Sequence, residues 1–194
     1  MLEVLGLDGA EAEIAIWNPD GSRAEMSGNG TRIAARWLAE RAGASEVRIR
    51  VGERVTEAWI RDDLVEQALG PVEVGAAESL EGVEFVPVLV GNPHAVVRGD
   101  PAEIGRIGPL LETHPRFPGR TNVQVGRVDG PGTITARVWE RGVGETTSSG
   151  TSAVAVAAAL RGEGETGVNF PGGTLSVRIE DRRAFVTGPA QRLE

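Results

Sequence analysis

An α+β fold, built mainly of antiparallel strands with a few helices packed on them, follows from three features of the sequence. Apolar and polar residues alternate with period two through most of the chain, as half-buried strands require. Three segments break that rhythm with helical spacing. Two of them open on the same phrase, "SGNGTR" at 27–32 and "SGTSAV" at 149–154, so the chain reads as a diverged duplication of strand, acidic turn, Ser-Gly and helix.

In chain order, "AEIAIWN" (12–18) predicts a strand that ends in "NPDGS", where Pro19 and Gly21 suit a tight turn. "EVRIRVG" (46–52), "VTEAWIR" (55–61) and "LVEQALG" (64–70) predict consecutive antiparallel strands, the last two joined at "RDD". "EFVPVLVGNPHAVVRG" (84–99) predicts two strands broken at Gly-Asn-Pro. "TNVQVGRV" (121–128), "TITARVWE" (133–140), "TLSVRIE" (174–180) and "AFVTG" (184–188) continue the pattern, with "DGPG" and "EDRR" as hairpin turns. The helices are predicted at 28–42, with Ile33, Ala34, Trp37 and Leu38 apolar and Gly43 as the stop, at 101–112 behind the Asp100-Pro101 start, and at 150–161. The last is apolar nearly all round and should be buried.

Composition narrows the function classes. The chain has 194 residues, enough for one large domain or two small ones. No apolar run reaches the roughly 18 residues of a membrane span, and "MLEVLGLDGAEAE" lacks the basic start of a secretory leader, so a soluble, cytoplasmic protein with no membrane partner is expected. A net charge of −8 gives no electrostatic reason to expect nucleic acid. Zero cysteines exclude disulfides, cysteine zinc sites and thiol nucleophiles. Lysine and tyrosine are also absent, a bias that codon usage in a GC-rich genome explains.

The two Ser-Gly helix starts carry the chemistry. A helix N-terminus presents unpaired N–H groups and partial positive charge, so it receives a carboxylate or phosphate without a special side chain. Two such termini could clamp one small anion from both sides, and Gly28, Gly30 and Gly150 would allow close approach to the backbone. Either motif alone is an ordinary serine cap. Their pairing, beside "NPDGS", "GNPHAVV" and "WERGVGET", is not.

In these strings the sequence resembles the diaminopimelate epimerases, cofactor-independent amino-acid epimerases of lysine and peptidoglycan-precursor biosynthesis. "NPDGSRAEMSGNGTR" is similar to the family's N-A-D-G-S-x-x-x-x-C-G-N-G-x-R, and "GNPHAVV" to its G-N-P-H-x-V. "RTNVQV", "WERGVGETTSSGTSA", "FPGGTLSV" and "VTGPA" follow in the family's order, so the likeness covers essentially the whole chain. It implies two pseudo-symmetric halves, residues 1–75 (joined by the C-terminal stretch 188–194) and 76–187, each a mainly antiparallel sheet or barrel wrapped around a central buried helix, with substrate at their interface. It implies L,L- to meso-diaminopimelate interconversion by two-base α-proton transfer, with no metal and no cofactor, on a small amino-acid substrate. A homodimer is a further possibility.

Carried over by residue, the two catalytic positions are Ser27 and Ser149, with His94 and Glu140 beside them. Gly28, Asn29, Gly150 and Thr151 would cradle the substrate α-carboxylate. Asn18, Asn92, Asn122, Glu140 and Arg141 would bind its distal end, where the planar fork of an arginine suits a carboxylate. The family has a cysteine at each catalytic position, and this chain has serine at both. A hydroxyl keeps the shape but is a far weaker acid, and no neighbour in sequence activates either serine. The family's first strand, its Gly-Asn-Asp-Phe motif and its Gly-Ile-Gly-Ala-Asp segment also have no counterpart here, which predicts an unpaired strand edge and an uncovered apolar face. Two other readings stay open: a related isomerase of the proline-racemase or phenazine-biosynthesis type, and a non-catalytic amino-acid-binding homologue.

Overall fold

The computed structural model describes residues 1–17, 21, 23 and 27–191. The chain forms two compact units, Met1–Leu69 with Phe185–Glu194, and Gly70–Ala184.

In the first unit, β1 (Leu2–Asp8), β2 (Glu11–Ile16), β3 (Glu46–Val51), β4 (Arg54–Arg61) and β5 (Leu64–Pro71) lie side by side in that order, with β15 (Arg183–Pro189) beyond β5. Helix α1 (Gly28–Ala42) is the crossover between β2 and β3, which pair in parallel with Glu11 opposite Arg48. The remaining pairs from β3 to β5 are antiparallel, as expected of consecutive strands joined by tight turns. Inward residues Ile14, Val47, Ile49, Ala58 and Val65 meet Ala34, Ala35, Leu38 and Ala39 of the helix in one core. Truncating Leu38, which is almost fully buried there, would cost about 2–5 kcal/mol. The predicted apolar set on α1 needs one correction. Ile33 and Trp37 are 55% and 39% exposed, because the buried face runs through Thr31, Ala34, Ala35 and Leu38 and leaves positions 33 and 37 on its flank. The helix ends where expected, with Gly43 left-handed at φ 63 and Ala44 N–H donating to Ala39 O. Strand β1 ends the strand order on one side, and its Val4, Leu5 and Leu7 are exposed.

The second unit contains β6 (Glu73–Val74), β7 (Glu78–Leu80), β8 (Val83–Leu89), β9 (Pro93–Arg98), β10 (Asn122–Gly130), β11 (Thr133–Glu140), β12 (Gly144–Thr146), β13 (Gly164–Phe170) and β14 (Gly173–Glu180). Their order is β14-β13-β11-β10-β9-β8-β6, with β12 added to β11 and β7 to β8. Two crossovers make parallel pairs: α2 (Ile104–Glu112) leads from β9 to β10, and α3 (Gly150–Leu160) precedes β13, which lies parallel to β11. The start predicted at residue 101 is a 3-10 turn, Pro101–Glu103, capped by Asp100 Oδ1 on Ala102 N at 3.0 Å, and regular helix begins at Ile104. Helix α3 is buried from Gly150 through Ala158. It lies so close to β10 that a Cβ on Gly126 would stand 3.2 Å from both Val156 and Leu160. At "EDRR" both central residues have positive φ, Asp181 at 48 and Arg182 at 60, the geometry of a tight hairpin turn. Among the described residues no helix is long and apolar enough to cross a membrane.

Candidate active site

Both Ser-Gly phrases are helix starts with matching backbone. Ser27 caps α1 at φ −143, ψ 114, and Ser149 caps α3 at φ −149, ψ 128. Neither first turn carries an acidic residue of its own to offset the positive end of the helix. The two serines are used differently. Gly30 N–H donates to Ser27 Oγ at 3.1 Å, whereas the buried Ser149 hydroxyl makes no capping bond. The first-turn amides of α3 therefore have no side-chain acceptor from their own cap, which suits them to an incoming carboxylate.

In the first unit, a polar network fixes the start of α1. Gln67 on β5 is fully buried; its Nε2 donates to Gly28 O at 2.8 Å and its Oε1 accepts from Thr31 Oγ1 at 2.9 Å. Arg32 donates to Asn29 Oδ1 at 3.0 Å and to Pro189 O at 3.1 Å, while its Nη1 is buried without a partner. Burial pushes the Arg32 pKa down. Thus Gly28 and Asn29 sit at the helix start as predicted, each held from behind by a buried polar side chain. Asn18 lies outside the described residues.

In the second unit, the structure brings the other predicted residues into linked groups. Asn92 and His94 flank the start of β9, and His94 Nε2 meets Asn92 Oδ1 at 2.8 Å. Gln124 Nε2 donates to His94 Nδ1 at 3.0 Å and to Ser152 Oγ at 3.0 Å, tying β10 to the first turn of α3. With Nδ1 accepting, the imidazole proton is on Nε2 and points to Asn92. His94 is almost completely buried, and burial, helped by the positive charge of Arg141, lowers its pKa to about 3. It is a neutral, fully engaged ring at physiological pH. Gln124 Oε1 is buried without a partner. Gly150 and Thr151 are buried in the first turn of α3.

Asn122 joins two of the motifs: Nδ2 donates to Pro93 O at 3.0 Å, and Oδ1 accepts from Arg141 N at 3.0 Å. Glu140 Oε1 accepts from Thr146 Oγ1 at 2.5 Å, and Arg141 Nη1 donates to Gly119 O at 3.3 Å. Sequence reasoning did not reach Arg32, Gln67, Glu112, Gln124 or Ser152. The signal that exposes Gln67 is its phase, because it alternates inward with Val65 and Leu69 on β5.

The fold recurs in solved epimerases. A predicted epimerase from Pseudomonas aeruginosa superimposes with a TM-score of 0.74 at 18% identity, covering 100% of this chain and 81% of that one. A hydroxyproline epimerase from Agrobacterium vitis, solved with bound trans-4-hydroxy-L-proline, gives 0.71 at 20% identity, covering 96% and 70%. The chain therefore shares the fold of these two proteins. By sequence, the family model for diaminopimelate epimerase matches residues 86–193. The diaminopimelate epimerase of Desulfitobacterium hafniense is 38% identical over 98% of this chain and 78% of its own length, and that of Chelativorans sp. is 35% identical over 95% and 74%. The chain belongs to the diaminopimelate epimerase family.

Proposed function

We propose that this chain is a cytoplasmic protein that binds diaminopimelate and acts at one of its α-carbons, without a cofactor, through Ser27 and Ser149. The observation that carries the reading is the pair of serine-capped helix starts of matching backbone angles, with no acidic residue in either first turn. A helix start of this kind receives an α-carboxylate and favours negative charge growing at the adjacent carbon as the α-proton leaves. Inversion needs one group to take that proton and another to return one on the opposite face. Ser27 and Ser149 stand at the two positions where the family resemblance puts those groups. In this reading, Asn92, Asn122, Glu140 and Arg141 hold the distal amino-acid end, and Asn18 belongs with them.

The acid–base step is slow in this chain. His94 is neutral and has both ring nitrogens engaged, so it cannot take a proton from Ser149 without breaking a bond it already makes. A thiol at either helix start would have its pKa lowered by the same N–H groups that a hydroxyl answers too weakly. Deuterium exchange at the α-carbon, followed by NMR with meso-diaminopimelate in heavy water, tests this. The native chain should bind and exchange slowly, and Ser27→Cys with Ser149→Cys should exchange readily. A double variant that binds but stays silent would sink the proposed chemistry, and a native chain that does not bind would sink the proposed ligand. Curated relatives at 34–38% identity favour this branch over the proline-racemase and phenazine types, whose likeness to the chain is one of fold.

A further inference from the structure

Glu112 is a buried carboxylate in the last turn of α2, where the helix dipole opposes it. Burying a charge is costly unless strong donors meet it, and both oxygens are met. Oε2 accepts from Trp139 Nε1 at 2.7 Å, and Oε1 accepts from Gly142 N at 2.7 Å, with Arg120 Nη1 3.5 Å away. Neither donor belongs to α2. Both flank Glu140 and Arg141.

The turn after β11 has each of its backbone N–H groups assigned. Arg141 N–H goes to Asn122 Oδ1, Gly142 N–H to Glu112 Oε1, and Val143 N–H to Glu140 O. The indole that Glu112 grips cannot swing aside, because Trp139 packs so tightly on α2 that a Cβ on Gly108 would lie 2.6 Å from its Cγ. The carboxylate thus clamps the strand end on one side of Glu140 and Arg141 and the turn on the other. An amide cannot replace it, since its single oxygen satisfies one donor and its NH2 then faces the second.

We propose that Glu112 is a positioning residue for diaminopimelate binding: it fixes the Trp139–Gly142 turn so that Glu140 and Arg141 present their side chains at the distal end of the ligand. This rests on the function proposed above.

The test is a double-mutant cycle on the full chain, read by calorimetric titration with meso-diaminopimelate, with thermal unfolding recorded for every variant. Glu112→Gln should weaken binding about tenfold or more, and Arg141→Met should do likewise. The double variant should lose clearly less than the sum of the two single losses, because Glu112 acts in part through the turn that carries Arg141. Independent, additive losses would overturn the role, as would Glu112→Gln binding like the native chain. If Glu112→Gln does not fold, Glu112→Asp, which keeps the charge but draws it back by one methylene, takes its place with the same expectations. A native chain that does not bind would overturn the proposed function, and this role with it.

Discussion

Acidification should destabilise this protein through one side chain, His94. Its folded-state pKa is about 3 against an ordinary value of 6.5, the cause being burial. The sign follows from proton counting. Above pH 6.5 the ring is neutral in both states and contributes no pH dependence. Between 6.5 and 3 the unfolded chain binds a proton that the folded chain refuses, so stability is lost as pH falls through that window. The slope is about 1.4 kcal/mol per pH unit, so going from pH 7 to pH 5 should remove about 2 kcal/mol. Glu78 and Asp129 have folded pKa values below their ordinary 4.5 and 3.8, so their losses set in only as pH falls toward those values, below the pH 7 to 5 range of the assay. Urea unfolding at pH 7, 6 and 5, compared between the native chain and His94→Gln, isolates the effect because His114 and every carboxylate are common to both. The native curve should fall the more steeply by about 2 kcal/mol over the two units. Parallel curves would refute the argument that burial keeps His94 neutral.

Two further outcomes follow from local geometry. Gly108→Ala should lower stability by about 1–3 kcal/mol despite alanine's better helix propensity, because the new Cβ meets the Trp139 ring; an unchanged or raised midpoint on heating would contradict that packing. Ser27→Ala should cost about 1 kcal/mol by removing the Gly30 cap, while Ser149→Ala, which removes no capping bond, should cost clearly less in the same thermal assay; equal losses would count against the asymmetry.

The fold was legible wherever an element buries one face and shows the other. The 133–140 and 174–180 strands alternate in burial as they do in polarity. The start of α1 was marked by its serine cap and its end by Gly43, and α3 starts at its serine and ends at Leu160, one residue short of the predicted span. Strand β1 escaped notice because it has no fully buried residue, so "LEVLGLD" has no burial contrast to write into its pattern. Strand β13, "GETGVNF", carries two glycines that blur the alternation, and β6 and β7 are too short to show a period. The parallel pairs were hidden for another reason: period two reports which face a residue takes, not the direction of the neighbouring strand.

The site was half legible on the same grounds. Residues that would touch a ligand sit in Gly- and Asn-rich phrases with a recognisable order. The residues that hold those phrases do not. Gln67, Glu112 and Gln124 act on groups 39, 30 and 30 positions away, and a buried amide or carboxylate on a strand or helix end reads in isolation as a solvated one. Only the fold supplies the partner.

The serines leave an asymmetry that composition alone could not suggest. At an N-cap, a hydroxyl is a good acceptor for the helix's own N–H groups, and a thiol is a poor one. Ser27 uses that property, since its oxygen closes the first turn of α1 on Gly30. Ser149 does not, and its buried hydroxyl caps nothing. A sulfur at position 27 would gain acidity from the helix start while giving up a bond that steadies it; at position 149 it would gain the acidity and give up no cap. Exchanging oxygen for sulfur therefore sets helix stability against proton transfer in the first unit only. Helix capping explains why a serine is comfortable at position 27, and it offers no such account of position 149.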